Sequence, residues 1–280
     1  MTVTAVLDGD ENLVVETPVY RALFANRLGY AGRELTITSG GAQRLDRFDR
    51  LGEGRVPTCM CFENLVVNNA FQQGYYPKEN RLVKASIIDA DGEQAIVELA
   101  GALIPIRDDT PREVQFRKHI TFRDDSYLVK LTAEPPDGPL TYIGIWWDVN
   151  DRWLTHMRSS AGVLLPLRPR YADASGELTR FNFKTFQEMD RGEGAWMEVV
   201  GPLEAIHVRL VEPADRKRVR GGMKFFDGPD EDESSPGASH ACINLDLFTD
   251  WAPPEDVDPV PAHPRYVYEV QLIPAVTYRV

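Results

Sequence analysis

The sequence predicts an all-β fold, a large antiparallel β-sandwich with few short helices, and three observations carry that expectation. Short segments of alternating apolar and polar residues recur along the 280 residues. Turn-forming residues punctuate them. The 3.6-residue repeat of an amphipathic helix is scarce.

Taken in order, Glu34 to Thr38 is the first alternating segment and Arg81 to Asp89 the next. Asp89-Ala90-Asp91-Gly92 then predicts a hairpin joining Ser86-Ile87-Ile88 to Gln94-Ala95-Ile96-Val97, since Asp and Gly accept the positive φ of tight turns. Ala95 to Leu99 continues the pattern. Val114 to Phe122 is the most informative strand: Val114, Phe116, Ile120 and Phe122 alternate toward a core, Lys118 interrupts that set, and Gln115, Arg117, His119 and Thr121 take the other face. Arg123-Asp124-Asp125-Ser126 predicts the turn into Tyr127 to Thr132. Leu140 to Trp146, Trp196 to Val200, Ala205 to Val211 and Tyr266 to Leu272 follow, the last expected to close a sheet opened near the N-terminus. Short helices are expected around Glu63 to Phe71 and Lys184 to Met189, and loops at Asp227 to Gly237 and Ala252 to Pro264. Neither loop has linker character, so residues 1–280 are expected to form a single domain.

Composition narrows the function. A 43% hydrophobic content suffices for a substantial core. With 31 Lys and Arg against 43 Asp and Glu the net charge is −12, which repels polyphosphates and argues against nucleic acid as a partner. No apolar run is long enough to cross a membrane and Met1 to Asn12 lacks leader features, so a cytoplasmic location without membrane contact is expected. Cys59, Cys61 and Cys242 are an odd number in a chain this long, which argues against a disulfide framework, and the usual paired spacing of a metal site is absent; neither a metal nor another cofactor is expected. Phosphate-cradling glycine loops, serine-hydrolase elbows and zinc-protease motifs are absent.

Glu113 to Lys130 resembles the central hairpin of the galactose mutarotase-like superfamily, and Leu35-Thr36-Ile37-Thr38-Ser39-Gly40-Gly41-Ala42-Gln43 resembles that fold's opening strand. The resemblance implies a β-supersandwich, a scaffold of aldose 1-epimerases, of polysaccharide lyase domains and of the periplasmic domain of a membrane insertase. Aldose 1-epimerases place a histidine motif in the strand after this hairpin. Thr141-Tyr142-Ile143-Gly144-Ile145-Trp146-Trp147-Asp148-Val149-Asn150 has none, so an ordinary sugar mutarotase is not implied. A fold shared by enzymes and non-enzymes does not transmit a function.

Candidate site residues come from the polar strand face and its neighbours. Arg117 and His119 emerge two residues apart on one face, where Arg117 could hold an anionic or carbonyl oxygen while His119 moves a proton. Asp148 and His156 are further acid–base candidates, and Arg158 a second oxygen-binding cation. Trp146 or Trp147, with Tyr75 and Tyr76, offers flat stacking surface for a ring. His207 reads as a structural or surface histidine. These residues suit a cofactor-independent isomerase, lyase or cyclase that binds a cyclic or polyhydroxylated small molecule on a concave sheet face and works by proton transfer. Two other readings fit the same residues: a biosynthetic cyclase shaping a hydrophobic intermediate, and a non-catalytic carbohydrate-binding module. No particular oligomeric state is expected.

Overall fold

A computed structural model of the protein describes residues 2–26, 29–37, 43–44, 62–67, 70–71, 83–105, 114–134, 143–150, 156–159, 162–164, 185–188, 196–200, 205–212, 219–226, 240–247 and 265–273. Among these the regular structure is all strand, in two antiparallel sheets, as the alternation predicts. The smaller sheet runs in chain order through β1 (Thr4–Leu7), β2 (Leu13–Glu16), β3 (Tyr20–Ala25), β4 (Ala31–Ile37) and β5 (Gln43–Arg44).

The larger sheet has two wings that meet at β9 (Ala95–Pro105). One wing continues through β10 (Val114–Phe122), β11 (Ser126–Glu134), β20 (Arg265–Ile273), β17 (Ala205–Glu212), β16 (Trp196–Val200), β13 (His156–Ser159) and β14 (Gly162–Leu164). The other continues through β7 (Ala70–Phe71), β6 (Asn64–Val67), β12 (Ile143–Asn150), β19 (His240–Leu247), β18 (Val219–Phe226) and β15 (Thr185–Glu188). Strand β8 (Lys84–Ala90) pairs with the first part of β9, whose last residues pair with β7.

Three expectations are corrected. Helix was expected over Glu63 to Phe71, but β6 and β7 occupy it, because Leu65, Val66 and Val67 suit a pleated strand and a sheet is at hand to pair with them. Helix around Lys184 to Met189 is replaced by β15, paired with β18. The closing strand β20 lies between β11 and β17 and not beside the N-terminal strands. The loops Asp227 to Gly237 and Ala252 to Pro264 lie outside the described residues. No helix among the described residues is long and apolar enough to cross a membrane.

The two sheets share one apolar core. Phe24 from the small sheet meets Phe122 edge-on at 5.8 Å, and Tyr20 meets Tyr127 at 6.4 Å. Polar contacts clasp the same junction. Thr17 Oγ1 donates to the Asp124 carbonyl at 2.7 Å, and the Tyr20 hydroxyl donates to the Ser126 carbonyl at 3.2 Å. Burial, then the nearby Asp125 and Asp124 carboxylates, push the Tyr20 hydroxyl far above its ordinary range, so it stays a donor.

A second clasp holds residues 62 and 63 against the small sheet. Gly32 and Phe62 exchange both backbone hydrogen bonds, at 2.8 and 2.9 Å, and the Phe62 ring lies over Gly32. A Cβ on Gly32 would stand 2.3 Å from the Phe62 ring, which is already packed on Phe24 at a centroid distance of 5.3 Å. Gly32→Ala is therefore expected to cost about 1–3 kcal/mol of unfolding free energy. Adding Phe62→Leu should return part of that loss. A urea midpoint for Gly32→Ala equal to wild type would refute the steric account.

The β8–β9 hairpin forms as predicted. Gly92 takes φ of 93°, and the Asp91 carboxylate accepts from the backbone N–H of Gln94 and Glu93, both at 2.9 Å. Those bonds hold the Asp91 carboxyl below its usual value. A depressed folded pKa means that the contribution is present above the unfolded value near 3.9 and is lost as pH falls through the folded value. Asp91→Asn should accordingly be less stable than wild type at neutral pH, with the gap closing below about pH 4. Urea unfolding across that pH range measures it.

Candidate functional site

Period-two alternation divides β10 cleanly. Phe116, Lys118, Ile120 and Phe122 are buried, whereas Gln115, Arg117, His119 and Thr121 look outward from the core. In register, His119 stands between Glu98 of β9 and Lys130 of β11, and Arg117 between Ala100 and Thr132. Glu98 joins the two predicted residues. Its Oε2 lies 2.7 Å from His119 Nε2 and accepts from Arg117 Nη1 at 3.3 Å. Arg117 is 60% exposed, His119 42% and Glu98 22%, so the cluster is open to solvent on one side and can meet a ligand without rearrangement.

The carboxylate orients the imidazole through one nitrogen and leaves Nδ1 as the second position for a proton. Arg117 adds a fixed cation on the same carboxylate. A group that exchanges protons beside a cation that holds oxygen is the arrangement proton-transfer chemistry needs.

The remaining predicted residues stand elsewhere. His156 and Arg158 are on β13, five inter-strand steps from β10, about 24 Å along the sheet. Trp146, Trp147 and Asp148 are on β12 in the other wing, in register with Asn244, Ile243 and Cys242 of β19. Tyr75 and Tyr76 lie outside the described residues, as do Cys59 and Cys61. Sheet order thus brings Arg117 and His119 together with Glu98 and leaves the others on separate strands. No group of three His, Cys, Asp or Glu side chains capable of holding a metal occurs among the described residues.

Two polar clusters were not anticipated. Beneath Arg117 and His119, on the core side, Lys118 is 1% exposed and donates from Nζ to the Glu63 carbonyl at 2.8 Å, with Glu63 Oε2 3.9 Å away. The buried Glu63 carboxylate also accepts from the Tyr127 hydroxyl at 2.8 Å and from the Tyr268 hydroxyl. Burial, the Glu63 charge and that hydrogen bond push the Tyr268 hydroxyl well above its ordinary value. Glu63 sits at φ of 56°, a left-handed backbone for a residue with a Cβ, at a cost of about 1–2 kcal/mol. The Gly32–Phe62 bridge and the buried hydrogen bonds hold it there.

The second cluster joins β16 to β17. His207 Nδ1 lies 3.6 Å from Glu198 Oε2, with the Glu198 side chain 8% exposed. Glu198 Oε1 is buried and has no hydrogen-bond partner among the described residues. Leaving such an oxygen unsatisfied costs about 1–3 kcal/mol. Arg158 of β13 stands opposite Glu198 in register and His156 stands opposite Val200.

Comparison with known proteins bears on the scaffold. No protein-family model matches the sequence, and no curated protein matches it. Solved structures do. A galactose mutarotase-like protein from Clostridium acetobutylicum superposes with a TM-score of 0.58 at 10% identity, over 96% of this chain and 97% of the other. An alpha-mannosidase from Enterococcus faecalis superposes with a TM-score of 0.53 at 8% identity, over 95% of this chain and 30% of its own. A 4-alpha-glucanotransferase from Thermococcus litoralis gives 0.50 at 10% identity, over 97% of this chain and 39% of its own. The protein has the mutarotase-like sandwich fold that its central hairpin resembles; at such identities the likeness is one of fold.

Proposed function

We propose that the protein binds a cyclic, polyhydroxylated small molecule of carbohydrate type on the open face of β9 and β10 and transfers a proton on it without a cofactor. The observation that carries this reading is the convergence of His119 and Arg117 on Glu98 at the outer face of a sheet. In this reading Glu98 orients His119 as acid or base, and Arg117 holds the ligand oxygen on which charge develops. Isomerisation and elimination both fit that pair. The 280 residues act as one domain, in the cytoplasm.

The 60% exposure of Arg117 favours a second reading, a non-catalytic carbohydrate-binding module, because a cation in high dielectric recognises an oxygen more readily than it stabilises a developing charge. One experiment separates the two. The protein is incubated in D₂O with a panel of aldoses, uronates and their glycosides, followed by NMR and mass spectrometry. Protein-dependent new species or deuterium uptake supports catalysis, and saturable binding without either supports the module. No interaction with any member refutes both.

A further inference from the structure

The face that carries Arg117 and His119 continues onto β11, where Lys130 stands opposite His119 in register and Thr132 opposite Arg117. Both are exposed, while Val129 and Leu131 alternate with them into the core. Residues opposed across antiparallel strands have Cβ atoms about 5 Å apart, so the Lys130 ammonium can reach a group lying over the His119 ring. On the other side of His119 stands Glu98, whose carboxylate is engaged by His119 and by Arg117. Lys130 has no such partner: among the described residues its ammonium makes neither an ion pair nor a hydrogen bond. Glu269, the acid diagonal to it on β20, is paired with Arg209 at 2.5 Å. The direct neighbour of Lys130 on β20 is Val267, on the same face yet only 3% exposed, so the open part of the face ends beside Lys130.

We propose that Lys130 makes this site select an anionic sugar, by holding a carboxylate or phosphate group carried on the ring while His119 and Arg117 face the reacting oxygen. The proposal names the substrate class of the site and rests on the carbohydrate reading of this face. A chain of net charge −12 repels an anion at a distance, so binding one requires cations placed locally. Here Arg117, Lys130 and a protonated His119 surround one carboxylate, and the β11 half of the cluster carries a positive charge that no acid among the described residues pairs. A neutral hydroxyl offered to that ammonium only replaces water. An anionic oxygen gains the stronger, charge-assisted kind of hydrogen bond. Arg117 adds to the same field, since a guanidinium has five N–H donors and its bond to Glu98 runs through Nη1. Thr132, opposite Arg117, supplies a hydroxyl donor on the same side.

Calorimetric titration compares three probes on the same ring in the gluco and galacto series: the neutral methyl glycoside, the methyl uronide that bears a carboxylate, and the methyl glycoside that bears a phosphate ester. An anionic probe should bind roughly tenfold or more tighter than the neutral one, with the preference shrinking as salt is raised. Whichever anion binds more tightly tells a uronate site from a sugar-phosphate site. Lys130→Met, an exposed substitution that keeps the length of the side chain, should erase most of that preference. Lys84→Met removes the same charge from β8, exposed on the same face three inter-strand steps from β11, and should keep the preference. The proposal is overturned if Lys130→Met retains the wild-type preference, if Lys84→Met loses as much of it, or if inorganic phosphate alone binds as tightly as the phosphorylated ring. A neutral glycoside bound as tightly as the anionic ones also overturns it and leaves the carbohydrate reading standing. Absence of binding by every probe removes that reading and this proposal together.

Discussion

Lys118→Ala is expected to lower the unfolding free energy by about 3–5 kcal/mol. The side chain is 1% exposed, and its ammonium donates to the carbonyl of Glu63, a residue whose backbone is held left-handed. Truncation removes that donor and a cation 3.9 Å from the Glu63 carboxylate, in a region of low dielectric. It also opens space in a core that contains Tyr266 and Tyr268. The damage comes mainly from leaving a buried carboxylate without this cation, so removing both partners should cost less than the sum of the single losses. Glu63→Leu with Lys118→Met still strands the Tyr127 and Tyr268 hydroxyls. Changing these to Phe as well should recover much of the stability. Chemical denaturation of the series gives each figure. A loss below about 1 kcal/mol for Lys118→Ala would mean that its ammonium reaches water.

His119→Ala is expected to reduce turnover on a substrate found by the D₂O panel by roughly 100- to 10,000-fold, the range over which a positioned acid or base acts. Stability should change little, since the side chain lies on the outer face and is 42% exposed. Glu98→Gln is the informative companion. It keeps the size of the side chain but removes the charge that orients the imidazole and faces Arg117, so a smaller loss with an altered pH profile is expected. Wild-type turnover in His119→Ala would remove this residue from the chemistry.

The legible part of the fold was the part with period-two alternation. Val114 to Phe122 shows its two faces in the sequence, and the structure keeps that division from Gln115 to Phe122. Strand β2 escaped because it buries Leu13, Val14 and Val15 together, which leaves no alternation to read. At β6 a sheet overrode the expectation of a helix, a decision taken by pairing with β12 and not by local preference.

The site follows the same rule. That Arg117 and His119 share a face is local information; that Glu98 stands opposite His119 depends on strand register. Lys118 announced itself as a cation in an apolar series, yet its partner Glu63 is 55 residues earlier and separated from it by several strands. Glu198 and His207 alternate onto one face of consecutive strands, a signal present in the sequence but ambiguous until the patch around them proved buried.

The insertion of β20 between β11 and β17 also orders the birth of the molecule. During synthesis the N-terminal meander can assemble early from neighbouring hairpins, whereas the edges of β11 and β17 must wait for residues 265–273 to leave the ribosome. Until then both present unpaired N–H and C=O groups, open to mispairing with other nascent chains. A small local sheet that folds first, and a large one sealed only once residues 265–273 arrive, leave this protein most exposed to aggregation before that segment has emerged.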